Sequence, residues 1–113
     1  MTGRDIFFIV SGMLGYDPTP TLNGANDIMA KNTVMAINRV LDDLTEKPTH
    51  IKKLNDAITD EQGLKDALIY GVAMFLALID GDAVKQSAYC DIYNAKRKRY
   101  KSTITSVKDV MPR

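Results

Sequence analysis

The stretch LKDALIYGVAMFLALIDGDAVKQSAYCDIYNAKRKRY, residues 64 to 100, decides the fold of this chain. A helix is predicted from Asp60 or Glu61 to about Ile79. Beyond Lys65 and Asp66, apolar residues occupy every side of it, and a helix that is apolar all round is a central one. The Asp-Gly-Asp sequence at residues 80 to 82 then supplies a C-cap glycine and an N-cap aspartate. The stretch therefore predicts a central helix and an antiparallel partner helix.

The partner helix, predicted from about Asp82 to Tyr100, carries a narrow apolar stripe and an aromatic edge at helical spacing. We expect the stripe to pack against the central helix through small residues. An aromatic edge at this spacing is typical of a core or a subunit interface, and we favour the interface. The stripe is Val84, Ala88, Ile92 and Ala95, and the edge is Tyr89, Tyr93 and Tyr100.

A basic run ends the partner helix. Its five cations point in every direction around the helix axis, so no side remains to face a core, and the last turns are expected to project from the body. The run is open to three interpretations: a solvated helix C-terminus, a contact with nucleic acid, or a contact with an acidic protein surface. Its members are Lys96, Arg97, Lys98, Arg99 and Lys101.

The net charge of +1 hides an asymmetry along the chain. Residues 1 to 84 hold seven Lys and Arg against twelve Asp and Glu, a net charge of −5, whereas residues 85 to 113 hold eight against two, a net charge of +6. A basic end of this kind favours an acidic or polyanionic neighbour.

Two further helices are predicted upstream. The first covers about residues 3 to 15, with Thr2 as N-cap, Asp5 at the third position and Gly15 as C-cap. The proline-rich segment 16 to 24 is predicted to be a loop. The second helix covers about residues 25 to 44 and is amphipathic. Its apolar arc is Ala30, Thr33, Val34, Ile37, Val40, Leu41 and Leu44.

Two segments lie outside these helices. Ile51, Leu54 and Ile58 follow Pro48 at spacings that fit either a short helix or a docked connector. Residues 102 to 113 are rich in β-branched side chains and end near Pro112, which predicts an extended arm. The expected fold is thus all-α: a bundle of about four helices over residues 1 to 101 with an extended C-terminal arm over 102 to 113.

Several kinds of chemistry are not expected. The chain has one cysteine, Cys90, and one histidine, His50, which supply neither a disulfide nor a zinc ligand set. The longest apolar stretch falls short of the ~20 residues that span a bilayer, and the N-terminus is a poor signal peptide. We therefore expect a protein without catalytic site, metal or cofactor, made in the cytoplasm and not embedded in a membrane.

The sequence also resembles a known family. The segments INRVLDDL (37 to 44), LIYGVAMFLALIDGDAVKQ (68 to 86), YNAKRKRY (93 to 100) and VKDVMP (107 to 112) are similar to the head-tail connector proteins of tailed bacteriophages, in the adaptor or head-completion class. The similarity covers about residues 28 to 112.

This resemblance implies a structural virion protein at the head-tail interface. It would assemble as a ring, usually of twelve copies in that family, below the portal protein and next to a stopper or tail-completion protein, and would prolong the channel through which packaged DNA passes. The basic run would then contact the channel DNA or an acidic partner. The arm would dock on the portal through Ile104, Val107, Val110, Met111 and Pro112.

A ring subunit needs contacts with copies of itself on two different faces. The apolar residues that the predicted core does not need, Phe8 above all, would supply a subunit interface together with Tyr89, Tyr93 and Tyr100. The alternative function is a small helical nucleic-acid-binding protein that uses the basic end of its last helix.

Overall fold

The fold consists of helices joined by short connections. A computed structural model describes the backbone of residues 1–58, 61 and 63–110, and the side chains of these residues as far as Ser102. Within these ranges the all-α prediction is confirmed, and regular structure besides helices is limited to one isolated bridge between Thr2 and Ala57. The helices are α1 Gly3–Leu14, α2 Thr19–Leu22, α3 Asp27–Leu44, α4 Leu64–Asp80 and α5 Ala83–Val110.

Helix α1 has the caps that its sequence predicts. The backbone N–H of Thr2 donates to Asp5 Oδ2 at 2.9 Å, and the N–H of Asp5 donates to Thr2 Oγ1 at 3.4 Å, so both ends of a capping box are present. Gly15 closes the helix with a φ of 79°, a left-handed conformation that glycine adopts without strain.

The predicted loop at residues 16 to 24 contains the single-turn helix α2, which is a correction. Pro18 and Pro20 prevent a preceding helix from continuing, but they do not prevent a new one from starting. They stand at the N-cap and in the first turn of α2, where a backbone N–H has no helical partner and proline is tolerated.

Helix α3 begins two residues later than expected, because Asn26 caps it by accepting a hydrogen bond from the Met29 N–H at 3.0 Å. Most of its predicted apolar arc faces the core, whereas Ala30 and Val34 are only half-buried. The buried residues of α3 are Thr33, Ala36, Ile37, Val40, Leu41 and Leu44.

The segment between α3 and α4 is a docked connector as far as it is described. Ile51, Leu54 and Ile58 are buried. Asn38 of α3 holds the segment with two bonds of 2.8 Å, one to the carbonyl and one from the N–H of Ile51. Of the two alternatives left open by the sequence, the connector is therefore confirmed.

Helix α4 is central, as predicted, since it packs against α1, α3 and α5. Its Gly71 is buried and lies against the side chains of Val40 and Tyr93. A Cβ atom at this position would lie 2.7 Å from Val40 Cγ1 and 2.8 Å from Tyr93 Cε1. The absence of a side chain at this position therefore allows α3 and α5 to approach α4 closely.

The turn between α4 and α5 is also as predicted. Gly81 takes a φ of 75°, and Asp82 Oδ1 accepts a hydrogen bond from the N–H of Lys85 at 3.1 Å. Helix α5 returns along α4, and among the described residues the contact between these two helices is more extensive than that between any other pair.

The C-terminal segment differs from the prediction of an extended arm. Helix α5 continues to Val110, so residues 102 to 110 are helical. A helix that is already formed adds one hydrogen bond per residue without a new nucleation cost, and β-branched residues lower helix propensity by less than about 0.7 kcal/mol each. Propagation therefore outweighs the weak β preference of this segment.

Candidate functional site

The apolar stripe of α5 faces outward, which corrects the predicted packing. Val84 is 80% exposed, and Ala88, Ile92 and Ala95 are also exposed. These four residues follow one side of the helix over about three turns. We call them the outward stripe.

The inward side of α5 consists of amphipathic side chains. Tyr93 is 5% exposed, and its hydroxyl donates to Asp43 Oδ2 at 2.5 Å. The same oxygen accepts a hydrogen bond from Arg97 Nε at 2.7 Å. A carboxylate of α3 therefore binds two consecutive turns of α5.

These contacts shift two pKa values in opposite directions. Burial, followed by the hydrogen bond to Asp43, raises the pKa of Tyr93 well above its usual range. Burial by itself would raise the pKa of Asp43, but the hydrogen bonds from Tyr93 and Arg97 outweigh it and lower that pKa. The cluster is therefore stable as a neutral phenol and an ionised carboxylate.

Tyr100 and Tyr89 also face the body of the protein. Tyr100 is 4% exposed and donates its hydroxyl to Glu61, while the half-buried Tyr89 donates to the carbonyl of Met13 at 2.9 Å. The predicted tyrosine interface is thus corrected for Tyr93 and Tyr100, which lie in the core of their own chain. The rings of these two tyrosines pack against α4, in the place where the stripe of Val84, Ala88, Ile92 and Ala95 was expected to pack.

The basic run is divided between two sides. Lys96 Nζ lies 3.7 Å from Asp66 Oδ2 and 5.9 Å from the centre of the Tyr70 ring. Arg97 binds Asp43. Lys98 and Arg99 are exposed. The expectation that the last turns project from the body is wrong as far as Tyr100, because the cations on the inner side neutralise carboxylates of α3 and α4.

The predicted interface residue Phe8 lies on the surface of α1 and is 63% exposed. Its neighbour Ile9 is exposed as well. Among the predicted arm residues, Ile104, Val107 and Val110 fall on the helical backbone of α5 without a described side chain, and Met111 and Pro112 lie outside the described residues.

Among the described residues, no group of three or more His, Cys, Asp or Glu side chains is placed to hold a metal ion. Over the same residues, no helix combines the length and the apolar character needed to cross a membrane.

A groove on the surface of the protein is not predicted by the sequence. A groove lies between α2, α3 and the turn at residues 52 to 55, on elements that are distant in sequence. In the sequence, Lys52 and Lys53 are two ordinary charged residues. The groove exists only because the connector packs beside α2 and α3, so no sequence pattern predicts it.

Comparisons with known proteins do not place the chain in a family. It has no significant match to a family model, to a curated protein or to a solved structure.

Proposed function

We propose that the protein is a non-catalytic assembly protein, a head-tail adaptor that forms a ring below the portal of a tailed bacteriophage. The observation that carries the assembly role is the outward stripe, which leaves Val84 80% exposed on a helix whose opposite side packs against α4. Isolated apolar residues on a surface are common. Four that lie next to one another along one side of a helix are instead typical of a contact with another chain. The phage assignment rests on the sequence resemblance.

A second apolar surface supports a ring rather than a simple pair. Phe8 and Ile9 are exposed on α1, which shares no residue with the outward stripe. Closed rings with more than two copies use two different patches on each subunit, whereas a twofold dimer uses one patch twice.

The nucleic-acid-binding alternative is less well supported. Lys96 and Arg97 bind the carboxylates of Asp66 and Asp43 in the same chain, which reduces the positive potential that they offer to phosphate.

Size-exclusion chromatography with light scattering tests the proposal. We expect the wild-type chain to form a ring oligomer, alone or when mixed with a portal protein, and the Val84→Lys/Ile92→Lys variant to remain monomeric and folded. Ile28→Lys is the control, because Ile28 is 74% exposed on α3 and the two apolar surfaces belong to α1 and α5. A wild-type chain that stays monomeric with and without portal protein would refute the adaptor role.

A further inference from the structure

The groove between α2, α3 and the connector has the size and lining of a binding site. Its volume is about 600 Å³, within the range of roughly 300–1,000 Å³ that is typical of ligand sites. The apolar part of its lining is Leu22, Ala30, Val34, Met35 and Leu54.

The rim of the groove is strongly cationic. Four cations line it, Arg4, Lys31, Lys52 and Lys53, against the single carboxylate of Asp27. Asp27 binds Lys31 at 2.8 Å, so this pair neutralises itself. The other three cations have no further carboxylate among the residues that line the groove, although the first 84 residues carry a net charge of −5. The nearby carboxylate of Asp56, which accepts from the N–H groups of Lys52 and Lys53, offsets part of their charge.

Hydrogen bonds hold both walls of the groove in place. The backbone N–H of Arg4 donates to the carbonyl of Leu54 at 2.9 Å, and its guanidinium donates to the carbonyl of Leu22 at 2.9 Å. Asp56 Oδ2 fixes the turn by accepting from the N–H groups of Lys52 and Lys53 at 2.7 and 3.1 Å. A site formed in advance in this way loses little entropy on binding.

We propose that this groove docks an acidic peptide segment of a partner protein, with an apolar side chain on the floor and carboxylates at Arg4, Lys52 and Lys53. The charge of the rim selects an anionic occupant. A groove of about 600 Å³ is far larger than a compact ion, and it accommodates a short chain segment with an apolar side chain. The proposal goes beyond the adaptor role, because the groove shares no residue with the outward stripe or with Phe8.

Fluorescence anisotropy with labelled peptides of about ten residues tests the proposal on the full chain. The probe alternates Glu with Leu, and two control peptides replace either Leu by Ser or Glu by Lys. We expect only the Glu-Leu peptide to bind, and its complex to shift the amide resonances of residues 52 to 55 and 30 to 35.

Two variants locate the site. Lys52→Glu/Lys53→Glu should weaken binding by about tenfold or more, since the charges would repel the probe. Met35→Ser should also weaken it while leaving the charge unchanged. Lys98→Glu/Arg99→Glu is the matched control, with the same change of charge on α5, and should alter the affinity by less than about twofold.

Three results would overturn the proposal. An equal loss in the Lys98→Glu/Arg99→Glu control would show unspecific attraction, and equal binding of the Glu-Ser peptide would show that the floor is not used. Saturation of the groove by dodecanoate, without binding of the Glu-Leu peptide, would make the occupant a small amphipathic anion. None of these results depends on oligomer formation. Failure of the peptide-binding proposal can therefore be distinguished from failure of the adaptor proposal.

Discussion

Gly71 shows at the scale of one residue how tightly α4 is held. We predict that Gly71→Ala costs about 1 to 3 kcal/mol relative to the same change at Gly12. The added methyl group would lie within 3 Å of the side chains of Val40 and Tyr93, whereas a Cβ at the exposed Gly12 meets no atom within 4 Å. Both substitutions gain the same helix propensity, about 1 kcal/mol, so the difference between them isolates the packing cost.

Urea denaturation followed by circular dichroism measures this difference. Gly12→Ala should be more stable than the wild type, and Gly71→Ala should be less stable than Gly12→Ala. Equal free energies of unfolding for the two variants would show that α4 and α5 are not in close contact at this point.

The bond between Tyr93 and Asp43 predicts a window of pH in which it stabilises the fold. The pKa of Asp43 is lowered in the folded state, so its contribution is present above its unfolded value of 3.8 and is lost as the pH falls below that value. The pKa of Tyr93 is raised, so its contribution is present below its ordinary value of 10.0 and is lost as the pH rises above it.

Tyr93→Phe should therefore lower the free energy of unfolding by about 1 kcal/mol at pH 7. The variant should also lose less stability than the wild type between pH 9 and pH 11, because it lacks the phenol that ionises more readily in the unfolded chain than in the folded one. Urea titrations across this range test both points, and parallel curves for the two proteins would contradict the role of the Tyr93 hydroxyl.

Helix α5 carries the outward stripe on one side and two buried tyrosines on the other. Tyr100 is the last residue of α5 that is buried among the described side chains. A chain that stops after Ser102 should keep its melting temperature, whereas one that stops after Arg99 should lose roughly 3 kcal/mol or more with the buried ring. Thermal unfolding compares the two truncations, and an equal loss in both would place part of the core beyond residue 102.

The same helix shows what could be predicted from the sequence and what could not. The caps at Thr2, Gly15 and Gly81 follow from local chemistry, and so does the central position of α4, because neither depends on distant residues. The orientation of α5 does not follow in this way. Apolar character favoured Val84 and Ile92 as the inner side, but tyrosines whose hydroxyls find carboxylate partners form a better inner side.

The inner side of α5 depends on Asp43 and Glu61, which lie 50 and 39 residues from their tyrosine partners. Long-range pairs of this kind leave no periodic pattern in a single sequence. Long amphipathic side chains such as Lys96 and Arg97 also bury their stems while their charges remain near the surface, so a basic run does not exclude packing. The groove escaped prediction for the same reason, since the docked connector forms one of its walls.

At the scale of the whole molecule, the acidic residues 1 to 84 contact the basic residues 85 to 113. These contacts determine which of the basic side chains are paired with carboxylates. The acidic part of the chain binds the inner cations of α5, and Lys98 and Arg99 remain on its outer side, near the end of the outward stripe. In the proposed ring, many copies would together present these outer cations. Each subunit would then need only a weak attraction to DNA.

The isolated subunit is therefore expected to bind DNA weakly and without sequence preference. Lys98→Gln/Arg99→Gln should reduce the slope of log affinity against log salt by about two and weaken binding equally across sequences, because each lost cation releases about one counterion fewer. Lys52→Gln/Lys53→Gln is the matched control, since it removes two exposed cations at the groove and should leave the slope nearly unchanged. Titration of labelled duplexes at several salt concentrations measures these slopes. Tight, sequence-selective binding by the wild-type monomer would favour a DNA-binding regulator over an adaptor, because a ring that encloses passing DNA has no use for sequence readout.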